Sequence, residues 1–153
     1  MRLIDANLLL YAYDSTSPRY EPVRRWLEEV MTGDEEVGLA IVSLLTFLRI
    51  GTNPRCSEPR SHRRKRSGPS PPGWIDRTCP GTATEVHWSV LQDLCRAGRA
   101  RGPLLMDAHL AALAVEHGAV LCTTDRDLAR FPGIRIDDPL PDRLDEIVAR
   151  RVA

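Results

Sequence analysis

The sequence predicts an α/β fold in which a mostly parallel sheet is covered by helices on both faces. Short apolar runs of strand length alternate along the chain with segments of helical periodicity, the pattern of that class. A chain of 153 residues suits one domain, able to withdraw roughly 68–70% of its unfolded surface from water. Sheets of this kind bind ligands outside the carboxyl ends of their strands, and Asp5 and Asp125 stand at two such ends.

Arg2 to Ala6 has the length and composition of a short buried strand. Asn7 then starts Leu8-Leu9-Leu10-Tyr11-Ala12-Tyr13, a helix too apolar to be exposed, which Ser15-Thr16-Ser17-Pro18 breaks. Val23, Trp26, Leu27 and Val30 keep the i, i+3, i+4, i+7 spacing of an amphipathic helix, with Arg24, Arg25, Glu28 and Glu29 on its other side and Gly33 at its end. Val37 to Leu39 is a second strand. Ala40 to Thr52 is expected to form a third, mostly buried helix through Ile41, Leu44, Leu45, Leu48 and Phe47. Asn53-Pro54 stops it, because the residue before a proline is pushed out of the helical region.

From Arg55 to Thr84 the character changes: five prolines, three glycines, and only Trp74 and Ile75 as large apolar residues. Such a stretch buries too little to offset its ordering entropy. Periodicity returns at Trp88, Val90, Leu91 and Leu94, a helix running to about Arg96 and fraying at Gly98. After Gly102-Pro103 come a helix from Leu105 to His117, a strand from Ala119 to Thr123, a short helix from Arg126 to Phe131 and a last strand around Ile134 to Ile136. Pro139-Leu140-Pro141 leads into a polar tail helix. The expected organisation is therefore one domain over 1–140, with 55–86 atypical, and a tail over 141–153.

Lys plus Arg and Asp plus Glu both number 21, so net charge gives no argument for a nucleic-acid or membrane partner. The distribution is uneven, because Arg55 to Arg77 holds seven basic residues against Glu58 and Asp76. Cys56, Cys79, Cys95 and Cys122 form no CxxC pair and no finger-like spacing with the histidines, so free thiols in a reducing compartment are expected. Asp5 and Asn7 interrupt what a signal peptide would need, and no apolar run approaches about 18 residues. A soluble cytoplasmic protein without membrane association is expected.

The acids carry the chemistry. Asp5 follows an apolar strand, Asp107 lies on the first turn of the late helix, and Asp125 and Asp127 follow the next strand. If the three elements meet, their carboxylates repel unless a hard cation lies among them, and Mg²⁺ or Mn²⁺ suits all-oxygen ligands. Such an ion acidifies water and neutralises charge on a phosphoryl oxygen, which points to phosphodiester hydrolysis. Each acid also has a simpler reading. Asp5 would serve as a helix N-cap, Asp107 would favour the positive end of its helix, and Asp125 or Asp127 would cap the short helix. Thr123 and Thr124 would orient a phosphate or carboxylate, or simply favour a strand. Arg49 would suit the helix C-terminus or an RNA phosphate. His109 and His117, eight residues apart on one helix, read as surface or packing residues.

Taken together, MRLIDANLLLYAYD with SPRYEPVRRWLEE, then FLRIGTNPR, then LLMDAHLAALAVEHGAVLCTTDRDLARFPGI resemble the PIN-domain toxin ribonucleases of VapBC toxin–antitoxin systems. They make up a little under half of the chain. The resemblance implies a three-layer α/β/α sandwich, Mg²⁺ or Mn²⁺, endonucleolytic cleavage of RNA, a VapB-like antitoxin partner and a homodimer. It makes Asp5, Asp107 and Asp125 the catalytic, metal-binding acids and Asp127 an accessory acid. Asn7 and Thr123 match the polar residues that support them.

The chain departs from that family in two places. Many members carry an acid directly before the Phe of the third helix, where this chain has Thr46; a branch of the family lacks it too. Between Pro54 and His87 the family usually has two amphipathic helices and a strand, whereas this chain has CSEPRSHRRKRSGPSPPGWIDRTCPGTATEV. That segment reads as a basic RNA-binding loop, as a solvated insertion, or as a compensated frameshift. The abrupt change of composition at both flanks, with total length kept, favours the frameshift over the RNA-binding loop. Two other readings of the whole chain stand beside the ribonuclease. One is a PIN-fold remnant that only binds an antitoxin or sister subunit; the other, a receiver or phosphatase domain, lacks a suitably placed Lys, since Lys65 is the only one.

Overall fold

The computed structural model describes residues 1–53 and 83–140. In chain order these form β1 (Arg2–Ile4), α1 (Ala6–Tyr13), α2 (Tyr20–Thr32), β2 (Val37–Gly38), α3 (Ile41–Gly51), α4 (His87–Ala97), α5 (Leu104–Glu116), β3 (Val120–Cys122), a 3₁₀ helix (Arg126–Arg130) and β4 (Arg135–Asp137). The basic segment and the tail helix expected from the sequence lie outside the described residues.

The four strands form one parallel sheet in the order β2-β1-β3-β4. Register follows the apolar alternation. Leu3 sits opposite Leu121 and Ile4 opposite Cys122, so successive residues feed opposite faces of the sheet. Leu3 and Leu121 join the buried Leu94, Leu110, Leu113 and Phe131 in one core with α4 and α5. Ile4 and Cys122 join Leu8, Leu9, Val23, Leu27 and Phe47 in a second core with α1, α2 and α3. The predicted three-layer α/β/α sandwich is therefore the observed fold. α5 ends where Gly118 takes a positive φ of 56°, a conformation that glycine adopts without a Cβ penalty, and the chain turns directly into β3.

Two expectations about burial are corrected. α3 is not mostly buried: Val42, Ser43 and Phe47 face the interior, while Ile41, Leu45 and Leu48 are 59%, 61% and 40% exposed. The helix is apolar nearly all round, so its sequence did not reveal which stripe the monomer would cover. Trp88 is likewise exposed, because α4 turns Leu94 inward with Val90 and Leu91 half covered, one step round from the tryptophan. Among the described residues no helix is long and apolar enough to cross a membrane.

Candidate active site

The pairing of β1 with β3 brings Asp5 and Thr123 together, although nearly the whole chain separates them in sequence. Asp5 occupies the N-cap position of α1 but caps nothing. Its Oδ2 instead accepts a hydrogen bond from the Thr123 hydroxyl at 2.7 Å. The same hydroxyl oxygen accepts from Asn7 Nδ2 and from the Asp125 amide, each at 3.0 Å. Thr123 is 1% exposed and ties three of the site residues into one network. The strand reading of Thr123 and its supporting reading are thus both satisfied by one side chain.

Burial pushes the Asp5 carboxyl above its ordinary range, opposed by the Thr123 hydroxyl and the nearby Ala6 and Asn7 amides, with the Asp125 charge adding to the rise. Asp107 sits in the first turn of α5 and is also raised, chiefly by burial and then by the charges of Asp125, Asp5 and Asp127, with Arg130 opposing. The three carboxylates therefore feel one another across the ends of β1, α5 and β3. Neither raised carboxyl has a basic side chain in ion-pair contact among the described residues.

Asp125 caps the 3₁₀ helix through an Oδ1 acceptor for the Asp127 amide at 2.8 Å. Of the two candidates for that cap, Asp125 is the one that serves. Asp127 is exposed and accepts from Arg130 at 3.0 Å.

Among the described residues Asn7 Oδ1 and Ser43 Oγ are buried without a hydrogen-bond partner, and such orphaned polar atoms carry a cost. An uncompensated amide oxygen, on a side chain tied to the same Thr123 hydroxyl as Asp5, is the kind of donor a hard cation takes, and the acids supply more oxygen. In kind, the donor set fits Mg²⁺ or Mn²⁺. In position it is open: among the described residues no three His, Cys, Asp or Glu side chains converge closely enough to hold an ion as they stand. Like charges rest apart, and Asp125 spends only Oδ1 on its cap, so its second oxygen can serve an ion with the cap intact.

Arg49, in the last turn of α3, stands elsewhere on the same helix pair. It lines a groove of about 470 Å³ between α3 and α5 with Ile41, Val42, Leu45, Thr46, Met106 and His109. Thr46, the residue at the family's usual acidic position, is on that wall.

His109 is no solitary packing residue. His87 Nε2 and His109 Nδ1 are 2.8 Å apart, and His87 Nδ1 donates to Glu116 Oε1. The Glu116 side chain has no solvent exposure and accepts the Thr84 amide at 2.8 Å and the Thr84 hydroxyl at 2.7 Å. Burial raises its carboxyl, but those donors together with His87 hold it below the usual range. Sequence reasoning missed His87 and Glu116. The one available signal was the seven-residue interval from His109 to Glu116, which places both on one face of α5.

Comparison with known proteins agrees with this fold. A family model described as the PIN domain matches residues 2–134. Ribonuclease VapC37 of Mycobacterium tuberculosis is 37% identical over 143 residues, spanning 91% of this chain and 97% of that protein. Ribonuclease VapC25 of the same organism is 34% identical over 140 residues, spanning 88% and 96%. Among solved structures, VapBC from Salmonella typhimurium bound to DNA is similar with a TM-score of 0.60 at 18% identity, over 91% of this chain and 98% of that one. VapBC2 from Rickettsia felis, bound to a DNA fragment from its promoter, gives 0.59 at 16% identity, over 89% and 96%.

Proposed function

The chain belongs to the PIN-domain family, as a VapC-type member, and from that premise we propose that it is a metal-dependent endoribonuclease, the toxin of a toxin–antitoxin pair. The observation that carries the reading is the pair of carboxyls Asp5 and Asp107, both raised chiefly by burial and further by the Asp125 charge, with the Asp5 charge also raising Asp107. Two carboxyls raised in this way beside a third acid suit a partner of opposite charge.

Mg²⁺ or Mn²⁺, when bound, supplies positive charge against the scissile phosphate and acidifies water. The chain's own residues do the rest. Asp5, Asp107 and Asp125 hold the ion, and Asp127 is an accessory acid. Thr123 fixes the Asp5 carboxylate, and Asn7 steadies Thr123 while offering its own Oδ1. With the hydroxyl bonded to Oδ2, the other Asp5 oxygen is the one presented to the ion.

The partners follow from the same reading. RNA is the substrate, which places the work in the cytoplasm, and a VapB-like antitoxin is the cognate inhibitor, in keeping with relatives solved as VapBC complexes. We assign the outward apolar stripe of α3, through Ile41, Leu45 and Leu48, to a second copy of the chain, because contiguous exposed apolar surface on a small domain marks an interface.

The test is cleavage of RNA by the purified protein with Mn²⁺ or Mg²⁺, against Asp5→Asn and Asp107→Asn. The reading fails if no cleavage occurs, or if either variant keeps full activity. A second reading, a PIN-fold remnant that only binds an antitoxin, is favoured by one observation: among the described residues no three acids converge. Antitoxin binding without metal-dependent cleavage would select it.

A further inference from the structure

The Glu116–His87–His109 chain belongs neither to the carboxylate cluster nor to either apolar core, and its geometry leaves little freedom. Glu116 is locked by two donors from Thr84, and it accepts a hydrogen bond from His87 Nδ1. His87 Nε2 is then committed to His109 Nδ1 at 2.8 Å, whichever of the two nitrogens carries the shared proton. Either way His109 has a single polar atom left, Nε2. The two rings meet edge to face, with centroids 4.7 Å apart and planes at 78°, so the hydrogen bonds also fix the orientation of the His109 ring.

His109 lines the groove between α3 and α5, where the other polar side chains are Thr46 and Arg49. No carboxylate pairs with Arg49 among the described residues. Met106, on the same wall, is the residue next to Asp107. The groove thus offers an apolar wall for the face of a base, a guanidinium for a phosphate, and hydroxyl and imidazole for a base edge or ribose 2′-hydroxyl, one residue away from the acids. A buried glutamate and a histidine held only to orient a second histidine toward apolar packing would be an expensive arrangement with no return. Charge decides between occupants: an arginine with no carboxylate partner among the described residues, beside apolar surface, suits a nucleotide, whereas a second copy would take the exposed apolar side chains of Ile41 and Leu45.

We propose that the Thr46, Arg49 and His109 side of this groove is a nucleotide subsite for RNA flanking the cleaved bond, and that Glu116 and His87 are positioning residues that hold His109 in it. The inference rests on the ribonuclease reading, which it extends from the metal-holding acids to the substrate. His109 Nε2 bonds the nucleotide, and Arg49 meets its phosphate.

The experiment takes the full chain and one fluorescent oligoribonucleotide. Affinity is read by anisotropy in metal-free buffer, and KM and kcat are read with Mn²⁺. His109→Ala is expected to weaken affinity and raise KM by roughly three- to tenfold, the loss of one hydrogen bond, with kcat within twofold. His109→Gln restores most of the loss. Glu116→Gln shifts KM in the same direction by a smaller factor, with circular dichroism confirming that it folds. Unchanged affinity and KM in His109→Ala overturn the subsite while the ribonuclease reading stands. So does a change in oligomeric state by light scattering with RNA affinity intact, which would give the groove to a second copy. Wild-type protein that binds the RNA with this His109 dependence but never cuts it supports the subsite and defeats the ribonuclease reading. Protein that neither binds nor cuts RNA overturns both.

Discussion

Removing the Thr123 hydroxyl is the sharpest perturbation of the site, because one oxygen there serves three partners. Thr123→Val keeps the shape and the β-branched preference of the strand. It deletes the donor to Asp5, a charge-assisted bond contributing about 1.5–3 kcal/mol, and leaves Asn7 Nδ2 and the Asp125 amide without their acceptor. The added methyl returns roughly 1 kcal/mol of burial. A net loss of about 2–3 kcal/mol at pH 7 follows, or roughly 5–10 °C in Tm for a chain of this size. The sign with pH can be worked out. The Asp5 carboxyl already lies above its ordinary range in the folded state, and the Thr123 bond pulls it down by favouring the charged form. Without that bond it rises further. The cost of the variant is therefore full above the raised range and shrinks as pH falls through it, since neutral Asp5 no longer needs the donor. Urea unfolding of both proteins at pH 7 and near pH 4 measures it. A difference under about 0.5 kcal/mol at pH 7, or one that does not shrink in acid, would refute the reasoning.

Three further outcomes are expected. Asp5→Asn removes a carboxyl whose raised folded-state range contributes stability only in acid, lost as pH climbs through that range. Metal-free Asp5→Asn should then be at least as stable as wild type at pH 7. Mn²⁺ at about 100 times its Kd should stabilise only wild type, by about 2.7 kcal/mol, and less in acid because protons compete for the carboxylates; scanning fluorimetry with and without Mn²⁺ checks this. Gly98→Ala places a Cβ 2.6 Å from Phe131 Cε1, on a ring that is 2% exposed, so overpacking should cost about 1–3 kcal/mol in thermal unfolding. Burial pushes the Cys122 thiol up to about 11, and the side chain has no exposure. Peptide mapping after iodoacetamide at pH 8 should find Cys122 unmodified until the protein is unfolded.

The strands, the helices and the acids at their ends were legible in the sequence because they rest on local periodicity and on charge next to apolar runs. The placing of Asp5, Asp107 and Asp125 near element ends followed from the order of apolar runs and acids. Thr123 was marked as support, and the structure gives it the central hydrogen bonds. Sidedness was less legible. α3 carries apolar residues round its whole circumference, and only the packing of Phe47 against α1 and α2 decides that Ile41, Leu45 and Leu48 face outward. Asp125 and Asp127 were equivalent as caps in the string TTDRD; the 3₁₀ turn chose Asp125. The His87–Glu116 contact was illegible for another reason, since it joins two helices whose relative rotation no single-helix pattern encodes.

The pairing of β1 with β3 has a consequence for timing. Arg2 pairs with Val120 and Ile4 with Cys122, so β1, once made, waits for the distant β3 before the central ladder can close. Contacts of such sequence separation form late and slowly. A nascent chain arrested anywhere before Val120 displays Asp5 with neither Thr123 nor Asp125 beside it. Everything between the two strands acts as a loop in that closure, and doubling a loop's length costs only about 0.6 kcal/mol. The length of the stretch between α3 and α4 can therefore change at little cost to the meeting of the two strands, and the set of acids is assembled only after β3 has been made.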